Sequence, residues 1–327
     1  VDAILIARAS ANTIAKLVHG MADDLLTTLC LARDCPLSTA PAMNKQMWAH
    51  PATQRNLQIL QSDGVTILGP ASGEQACGEM GEGRMPEPQQ IFDAVIAVEQ
   101  QQKANYQAWS ELKAFWSGKS FLISAGPTYE NIDPVRFIGN RSSGKMGFAI
   151  ADVAAKAGAN VTLIAGPVQL ATPNNVKRID VRSALQMFEA VQQNYAQADC
   201  FISAAAVADF RMATVAEQKI KKQADSDKMT LELVKNPDIV AWVAQQKNKP
   251  FVVGFAAETQ QVIEYAKNKL QRKNLDLICA NQVGENQGFE TDVNSLTVIT
   301  ESQQQTFPIS SKVQQAIELL NVISQKK

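Results

Sequence analysis

SAGPTYENIDPVRFIGNRSSGKM, residues Ser124 to Met146, is the stretch whose reading decides the fold. It begins in an apolar run, FLIS at 121–124, that reads as a buried strand, and it ends where the helical pattern MGFAIADVAAKAG takes over. The apolar run NVTLIAG at 160–166 then supplies the next strand. This is a strand–loop–helix–strand unit with a long first loop. Loops at the carboxyl ends of strands in open parallel sheets are where such folds hold ligands. Ser142, Ser143 and Gly144 precede the helix, so its first N–H groups and positive dipole end are offered to an anion, best a phosphate. Neither G-x-G-x-x-G nor G-x-x-x-x-G-K-[ST] occurs, because Lys145 is followed by Met146. Asp133, Arg136, Asn140 and Arg141 give this loop more polar equipment than a pyrophosphate turn needs.

Outward from the loop, strands and helices alternate. In the N-terminal direction, residues 1–7, 38–42 and 65–69 read as strands, with helices between them and a Gly-rich loop at 72–84. A helix at 91–100 closes that part, and the Gln-rich segment 101–118 reads as a connection. In the C-terminal direction, CFISAAA at 200–206, PFVVGF at 250–255 and LDLICAN at 275–281 are strands separated by helices at 183–195, 237–246 and 260–272. SLTVIT and TFPI suggest an antiparallel hairpin, and a last helix starts near 311. Such alternation argues for an α/β chain with a mostly parallel sheet covered by helices. The expected division is 1–100, a linker at 101–118, and 119–327.

A chain of 327 residues, 46% of them hydrophobic, can bury two cores, and a formal charge of −1 favours neither nucleic acid nor an anionic membrane as partner. Cys30, Cys35, Cys77, Cys200 and Cys279 have neither zinc-ligand spacing nor an even disulfide set, so a reducing cytoplasm is expected. An NAD(P)-dependent oxidoreductase would fit the alternation, but the glycine fingerprint is missing and no Tyr–Lys or His constellation can be placed.

The run AGPTYENIDPVRFIGNRSSGKMG resembles the signature of the bacterial phosphopantothenate–cysteine ligase domain. Further matches follow in the same order: AAAVADF at 204–210, KIKKQ at 219–223, KNPDIV at 235–240, VVGFAAET at 252–259 and RKNLDLICAN at 272–281. In that family the domain follows a flavin-dependent phosphopantothenoylcysteine decarboxylase, both halves serving coenzyme A biosynthesis. The implied fold is a flavoprotein-type Rossmann-like domain, here truncated, followed by a second Rossmann-like ligase domain. The implied reaction joins 4′-phosphopantothenate to L-cysteine, using CTP and Mg²⁺ and passing through an acyl-cytidylate.

The resemblance also implies roles for single residues. Ser203, Ala204 and Ala205 would line a cytosine pocket, and Asp209 would contact the nucleotide or its metal; alone, Asp209 would read as an ordinary strand-end cap. Lys219 would reach the triphosphate, while Lys221 and Lys222 read as a solvated basic face. Pro237, Asp238, Ile239 and Val240 would lie against CTP, with Phe255 near the base. Lys269 and Lys273, four residues apart and so on one helix face, would clamp phosphates. Arg136 suits forked recognition of the substrate's anionic end, and Asn140 would serve the acyl-cytidylate step.

In the first part, ASANT at 9–13 resembles the flavin-binding PASANT motif, with Arg8 in place of its proline. Ser10, Asn12 and Thr13 would then hold flavin mononucleotide. PAMNKQMW at 41–48 resembles the family's substrate motif, so Asn44 would meet the substrate carboxylate. ACGEMGEGRMPEP at 76–88 resembles the mobile substrate flap, in which Cys77 would be the proton donor. The chain opens without methionine, inside what reads as a strand, and neither His19 nor His50 sits in the context of the family's catalytic histidine. An N-terminally incomplete copy with impaired decarboxylation is therefore expected, and a non-catalytic flavin-binding oligomerisation platform is the alternative for this half. Family resemblance implies ligase dimers and decarboxylase trimers.

Overall fold

The computed structural model describes residues 1–74, 80–221, 228–258, 262–282 and 293–327. Two compact units emerge, Val1–Asn105 and Tyr106–Lys327. Cys77 and Lys222 lie outside the described residues.

The first unit holds a parallel three-stranded sheet in the order Ile4–Ala9, Leu37–Pro41, Thr66–Ile67. The central strand is buried along its whole length, as a strand flanked on both sides must be. Ile6, Ile14, Cys30, Leu57 and Leu60 form the core between the sheet and its helices. The Gly-rich segment expected as a loop is bounded by an antiparallel pair, Ala71–Glu74 with Met80–Arg84.

The expected linker is helical: one helix runs from Pro88 to Trp116. Alanine, glutamine and lysine are good helix formers, so a Gln-rich composition does not by itself mean a loop. The end of this helix belongs to the second unit, where Leu112 and Trp116 are fully buried and the Trp116 indole N–H donates to the Leu320 carbonyl at 3.3 Å.

The second unit is built on an eight-stranded sheet. Its order is Val176–Asp180, Asn160–Ala165, Ser120–Ala125, Cys200–Ser203, Phe251–Glu258, Leu277–Gln282, Thr297–Ile299 and Gln304–Thr306. All pairings are parallel as far as Leu277–Gln282, and the last two strands form the expected antiparallel hairpin. VKRID at 176–180 is not legible as a strand because it is a half-exposed edge with three charged residues and only two apolar ones. One sheet face is covered by the helices Lys145–Lys156 and Lys312–Lys326, with Phe121, Ile123, Ile150 and Leu319 between. The other is covered by Ala184–Asn194, Ile239–Ala244 and Val262–Arg272, with Leu122, Phe201, Val252 and Leu270 between.

From Ser120–Ala125 the chain moves outward through two strands, then returns to place Cys200–Ser203 on the opposite flank. That reversal opens a crevice at the carboxyl ends of these two strands, the ligand position in open α/β sheets.

Candidate active site

The crevice is a cavity of about 790 Å³. Its first wall is the loop singled out in the sequence. Gly144 adopts φ +73 as the N-cap of helix Lys145–Lys156, and no side chain caps that helix. Gly144 has no side chain with which to cap the first turn, and that turn lines the cavity, an arrangement that suits an anion. Glycines let the loop close on the sheet. A Cβ on Gly147 would stand 2.5 Å from the Ala125 Cβ, and one on Gly166 only 1.7 Å from the Pro127 carbonyl oxygen. Gly126, at φ +78, lies close to Gly144, where a Cβ would stand 3.4 Å from the Gly126 backbone.

The second wall continues from strand Cys200–Ser203. The Ala204 N–H donates to the Ser124 carbonyl at 3.0 Å, and the Ala206 N–H to Gly126 at 2.9 Å. The sheet ladder thus runs on into the segment of small residues that lines the cavity. Thr128 fixes its far end by accepting from the Ala208 N–H at 3.0 Å. Asn140 joins the two walls: its amide donates to the carbonyls of Val207 at 3.0 Å and Ala206 at 3.4 Å. Asn236 closes the end, donating to the Ala208 carbonyl at 2.8 Å.

The third wall is helix Ile239–Ala244, capped by Asp238, whose carboxylate accepts from the Ala241 N–H at 3.2 Å. The same carboxylate pairs with Lys273 at 2.9 Å. Lys269 and Lys273, expected on one face, both line the cavity with Phe255. Cations outnumber anions around it, since Arg141, Lys145, Lys235 and Lys312 also line it while Asp209 and Asp238 are its carboxylates. Such a site suits ligands carrying several negative charges.

Asn140, Ser203, Ala204, Ala205, Asp209, Pro237, Asp238, Ile239, Val240, Phe255, Lys269 and Lys273 are thus brought together around one cavity. Two expected residues are not. Arg136 is turned to Asp133, its guanidinium bonding that carboxylate at 2.6 and 3.0 Å and the Ile220 carbonyl at 3.0 Å. Asp133 is buried, and the Arg136 guanidinium with the amides of Val135, Arg136 and Ile220 holds its carboxyl well below the usual carboxylate range. The fork chosen for a substrate anion is occupied by an internal one. Lys219 is exposed on the neighbouring segment and is absent from the cavity lining.

Sequence reasoning missed Asn236 and Lys312. Asn236 lay inside the quoted KNPDIV motif. Lys312 had no local signal, because only the tertiary fold carries the last helix to the cavity.

For a magnesium ion, Asp209 is an exposed carboxylate at the cavity edge. No group of three or more His, Cys, Asp or Glu side chains is placed to hold a metal among the described residues. One carboxylate with ligand phosphates and water suffices for Mg²⁺, so the residues fit an ion that arrives with a nucleotide. Cys200 and Cys279 are fully buried and burial pushes both thiols up, which makes them packing residues.

In the first unit, Ser10 is the N-cap of helix Ala11–Val18, accepting from the Thr13 N–H at 3.2 Å with its oxygen 3.0 Å from the Thr13 hydroxyl. Asn12 is exposed beside them, and Arg8 takes a left-handed φ of +65 at the bulge before the helix. Short hydroxyl and amide groups at a helix N-terminus fit a flavin phosphate. Asn44 caps helix Lys45–Ala49, its side chain accepting from the Gln46 N–H at 2.8 Å.

The architecture defines a two-unit α/β enzyme: a flavoprotein-type domain followed by a Rossmann-like domain with a crevice lined by cations. The family model described as "DNA/pantothenate metabolism flavoprotein C-terminal domain" matches residues 116–326, and that described as "Flavoprotein" matches residues 1–100. The chain is 52% identical over 326 residues to the "Coenzyme A biosynthesis bifunctional protein CoaBC" of Haemophilus influenzae, covering 99% of this chain and 78% of that one. It is 51% identical over 314 residues to the protein of the same name from Escherichia coli, covering 95% and 75%. Among solved structures, the C-terminal domain of a coenzyme A biosynthesis bifunctional protein CoaBC superposes with a TM-score of 0.55 at 40% identity, over 64% of this chain and 96% of that one. The chain belongs to the family of bifunctional coenzyme A biosynthesis proteins, enzymes of the decarboxylase–ligase class. No helix among the described residues is long and apolar enough to cross a membrane.

Proposed function

We propose that residues 119–327 join 4′-phosphopantothenate to cysteine at the expense of CTP. A carboxylate oxygen of the pantothenate attacks the α-phosphorus, pyrophosphate leaves, and an acyl-cytidylate forms. The cysteine amine then attacks the acyl carbon, CMP leaves and the amide is made. The observation that carries this reading is the cavity itself, where small backbone-lined segments, a row of cations and an uncapped helix start converge. Ser203, Ala204 and Ala205 let a base approach the backbone, with Phe255 beside it. Lys269 and Lys273 neutralise phosphate charge, and Asn140 offers an uncharged donor to the acyl oxygen. Mg²⁺, held by phosphates and Asp209, would neutralise developing charge on the phosphates. Lys219 would contribute only if its segment turns inward on binding.

For residues 1–100 the proposal is an FMN-dependent phosphopantothenoylcysteine decarboxylase site, with Ser10, Asn12 and Thr13 toward the flavin phosphate and Asn44 toward the substrate carboxylate. FMN would supply the redox chemistry that turns the cysteine part into one able to lose carbon dioxide. Cys77 as proton donor lies outside the described residues.

A dimeric ligase half is supported by exposed apolar residues on two short antiparallel pairs, Tyr129–Asn131 with Phe137–Gly139 and Phe210–Met212 with Leu233–Lys235. Phe137, Phe210 and Val234 are 45, 43 and 38% exposed there, and Val135, in the turn between the first two strands, is 61% exposed.

The deciding experiment measures pyrophosphate from the purified chain with 4′-phosphopantothenate, Mg²⁺ and either CTP or ATP, with and without cysteine. Release that needs the pantothenate and CTP, with phosphopantothenoylcysteine formed once cysteine is added, is the expected result. Folded protein that releases none with either nucleotide would overturn the reading.

A further inference from the structure

Asp209 and Asp238 are the two carboxylates of the cavity, and they are held differently. Asp238 is tied to Lys273 and to the Ala241 N–H. The Asp209 carboxylate is exposed and has no hydrogen bond or ion pair among the described residues. A side chain without a partner of its own is placed by its backbone alone.

That backbone is irregular. Residues 207–209 belong to no strand or helix, so their peptide groups need partners from elsewhere in the chain. At Ala208, only 4% exposed, two side chains supply them. The Ala208 N–H donates to the fully buried Thr128 hydroxyl at 3.0 Å, and the Ala208 carbonyl accepts from the Asn236 side-chain amide at 2.8 Å. The Asn236 backbone N–H then donates to the Asp209 carbonyl at 2.9 Å. Asn236 thus grips the carbonyls before and after the Asp209 Cα. Because each peptide unit is planar, fixing both units leaves the Asp209 Cα–Cβ bond one direction.

Asn236 is itself held. The antiparallel pair Phe210–Met212 with Leu233–Lys235 aligns Phe210 with Lys235, so Asp209 and Asn236 form the next rung. Pro237 follows and confines Asn236 to extended backbone. Arg211, on the same ladder, donates to the Lys235 carbonyl at 2.6 Å and to the Asn236 side-chain oxygen at 3.3 Å. A guanidinium only donates and a carbonyl only accepts, so a single orientation of the Asn236 amide satisfies both neighbours. Its NH₂ group is thereby directed to Ala208.

We propose that Asn236, oriented by Arg211, is a positioning residue that sets the Asp209 carboxylate for the nucleotide. The inference rests on the proposed ligation reaction. The shared chemistry is a partner for a carboxylate, either a cation carried by the phosphates or a hydroxyl or amine donor of CTP.

The test uses the full chain, the single variants Asp209→Asn and Asn236→Ala, and the double variant that combines them. CTP is titrated calorimetrically into each, with Mg²⁺ and again with EDTA in its place, and ligand-free Tm is recorded. Asp209→Asn removes a charged acceptor, so CTP binding should weaken roughly tenfold or more. Asn236→Ala removes a neutral hydrogen bond, and a loss of about fivefold is expected. Because Asn236 acts through Asp209, the double variant should bind CTP within about twofold of Asp209→Asn alone. A residue that only stabilised the fold would lower Tm and add its loss to that of Asp209→Asn. A greater loss in the double variant, or unchanged binding in either single variant, would overturn the proposal and leave Asn236 a structural residue. Should Asn236→Ala not fold, Arg211→Met takes its place in the cycle with the same outcomes. A loss in Asp209→Asn seen only with Mg²⁺ assigns the carboxylate to the cation, and one that persists in EDTA assigns it to a donor of the nucleotide. Wild-type chain that binds no CTP would instead count against the ligation reaction. Hydrogen exchange then decides the clamp: faster exchange over residues 206–210 in Asn236→Ala supports it, and unchanged exchange there removes it.

Discussion

Lys273 stands 2.9 Å from the carboxylate of Asp238 at the cavity wall, so two residues assigned to one ligand are joined to each other. Asp238 also caps its own helix, which fixes the pair from one side. The pair is partly solvated, its side chains 21 and 49% exposed, so it adds little to stability. Its consequence is positional: the ammonium is kept at the cavity wall.

Lys273→Met is expected to raise KM for CTP by about tenfold through the lost phosphate contact. The ion pair itself is worth under about 1 kcal/mol, so unfolding stability should barely move. Steady-state kinetics beside a urea titration checks both parts. A large fall in stability with unchanged KM would assign Lys273 to the scaffold.

Asn140→Ala is expected to lower overall ligation on the order of 10²-fold, the cost of removing one preorganised donor near a developing oxyanion. The same change removes the bonds to Val207 and Ala206 that join the two walls. Asn140→Asp keeps the size and loses the donor. If the two variants fall equally while CTP binding stays normal, the donor is what matters; full activity in either would refute the role.

Asp133 gives a pH prediction. Its folded-state pKa is depressed, so it contributes stability above its unfolded pKa, about 3.9, and loses it as pH falls through the folded value. Arg136→Met removes the largest cause of the depression. The variant should have lower stability at neutral pH and should lose less of the remainder between about pH 4 and more acid conditions. Tm followed against pH for wild type, Arg136→Met and Asp133→Asn checks this, with the flattest acid limb expected for Asp133→Asn. A Tm at neutral pH unaffected by Arg136→Met would free that guanidinium for the substrate role first expected of it.

Gly147→Ala tests the close approach of helix Lys145–Lys156 to the sheet. The added Cβ would meet the Ala125 Cβ at 2.5 Å, well inside contact distance. Overpacking of this kind costs about 1–3 kcal/mol. Because Gly147 is in the first turn, relief of the clash moves the helix start, so KM for CTP should rise together with the loss of stability. Denaturant unfolding and kinetics on the same preparation test the coupling.

The parts of the fold that were readable in the chain are those where burial writes a pattern. FLIS, NVTLIAG and CFISAAA are buried on both faces and read as continuous apolar runs. Val176–Asp180 is an edge strand with Lys177 and Asp180 exposed and the rest half-buried, and its composition says only that it is polar. The helix through residues 101–116 is hard to read for a different reason: its propensity is helical, but its Gln-rich composition marks a connection and does not say whether that connection is helix or coil. The short pairs Tyr129–Asn131 with Phe137–Gly139 and Phe210–Met212 with Leu233–Lys235 join segments whose strand character arises only on pairing.

Within the site, the loop from Asn140 to Gly147 and the segments at 203–209 and 235–240 were linked by their resemblance to motifs of the ligase family, which occur in the same order. What the sequence by itself determined was therefore the alternation, the two-part organisation, the family, and most of the cavity wall. Tertiary structure alone decided which charges reach the cavity. Arg136 is spent on Asp133, three residues away, and Lys312 arrives from the far end of the chain on a helix packed beside Lys145–Lys156. The physical reason is that a long charged side chain has no periodic signature. Its partner is fixed by which oppositely charged group the fold brings within about 4 Å, and that distance is set by packing.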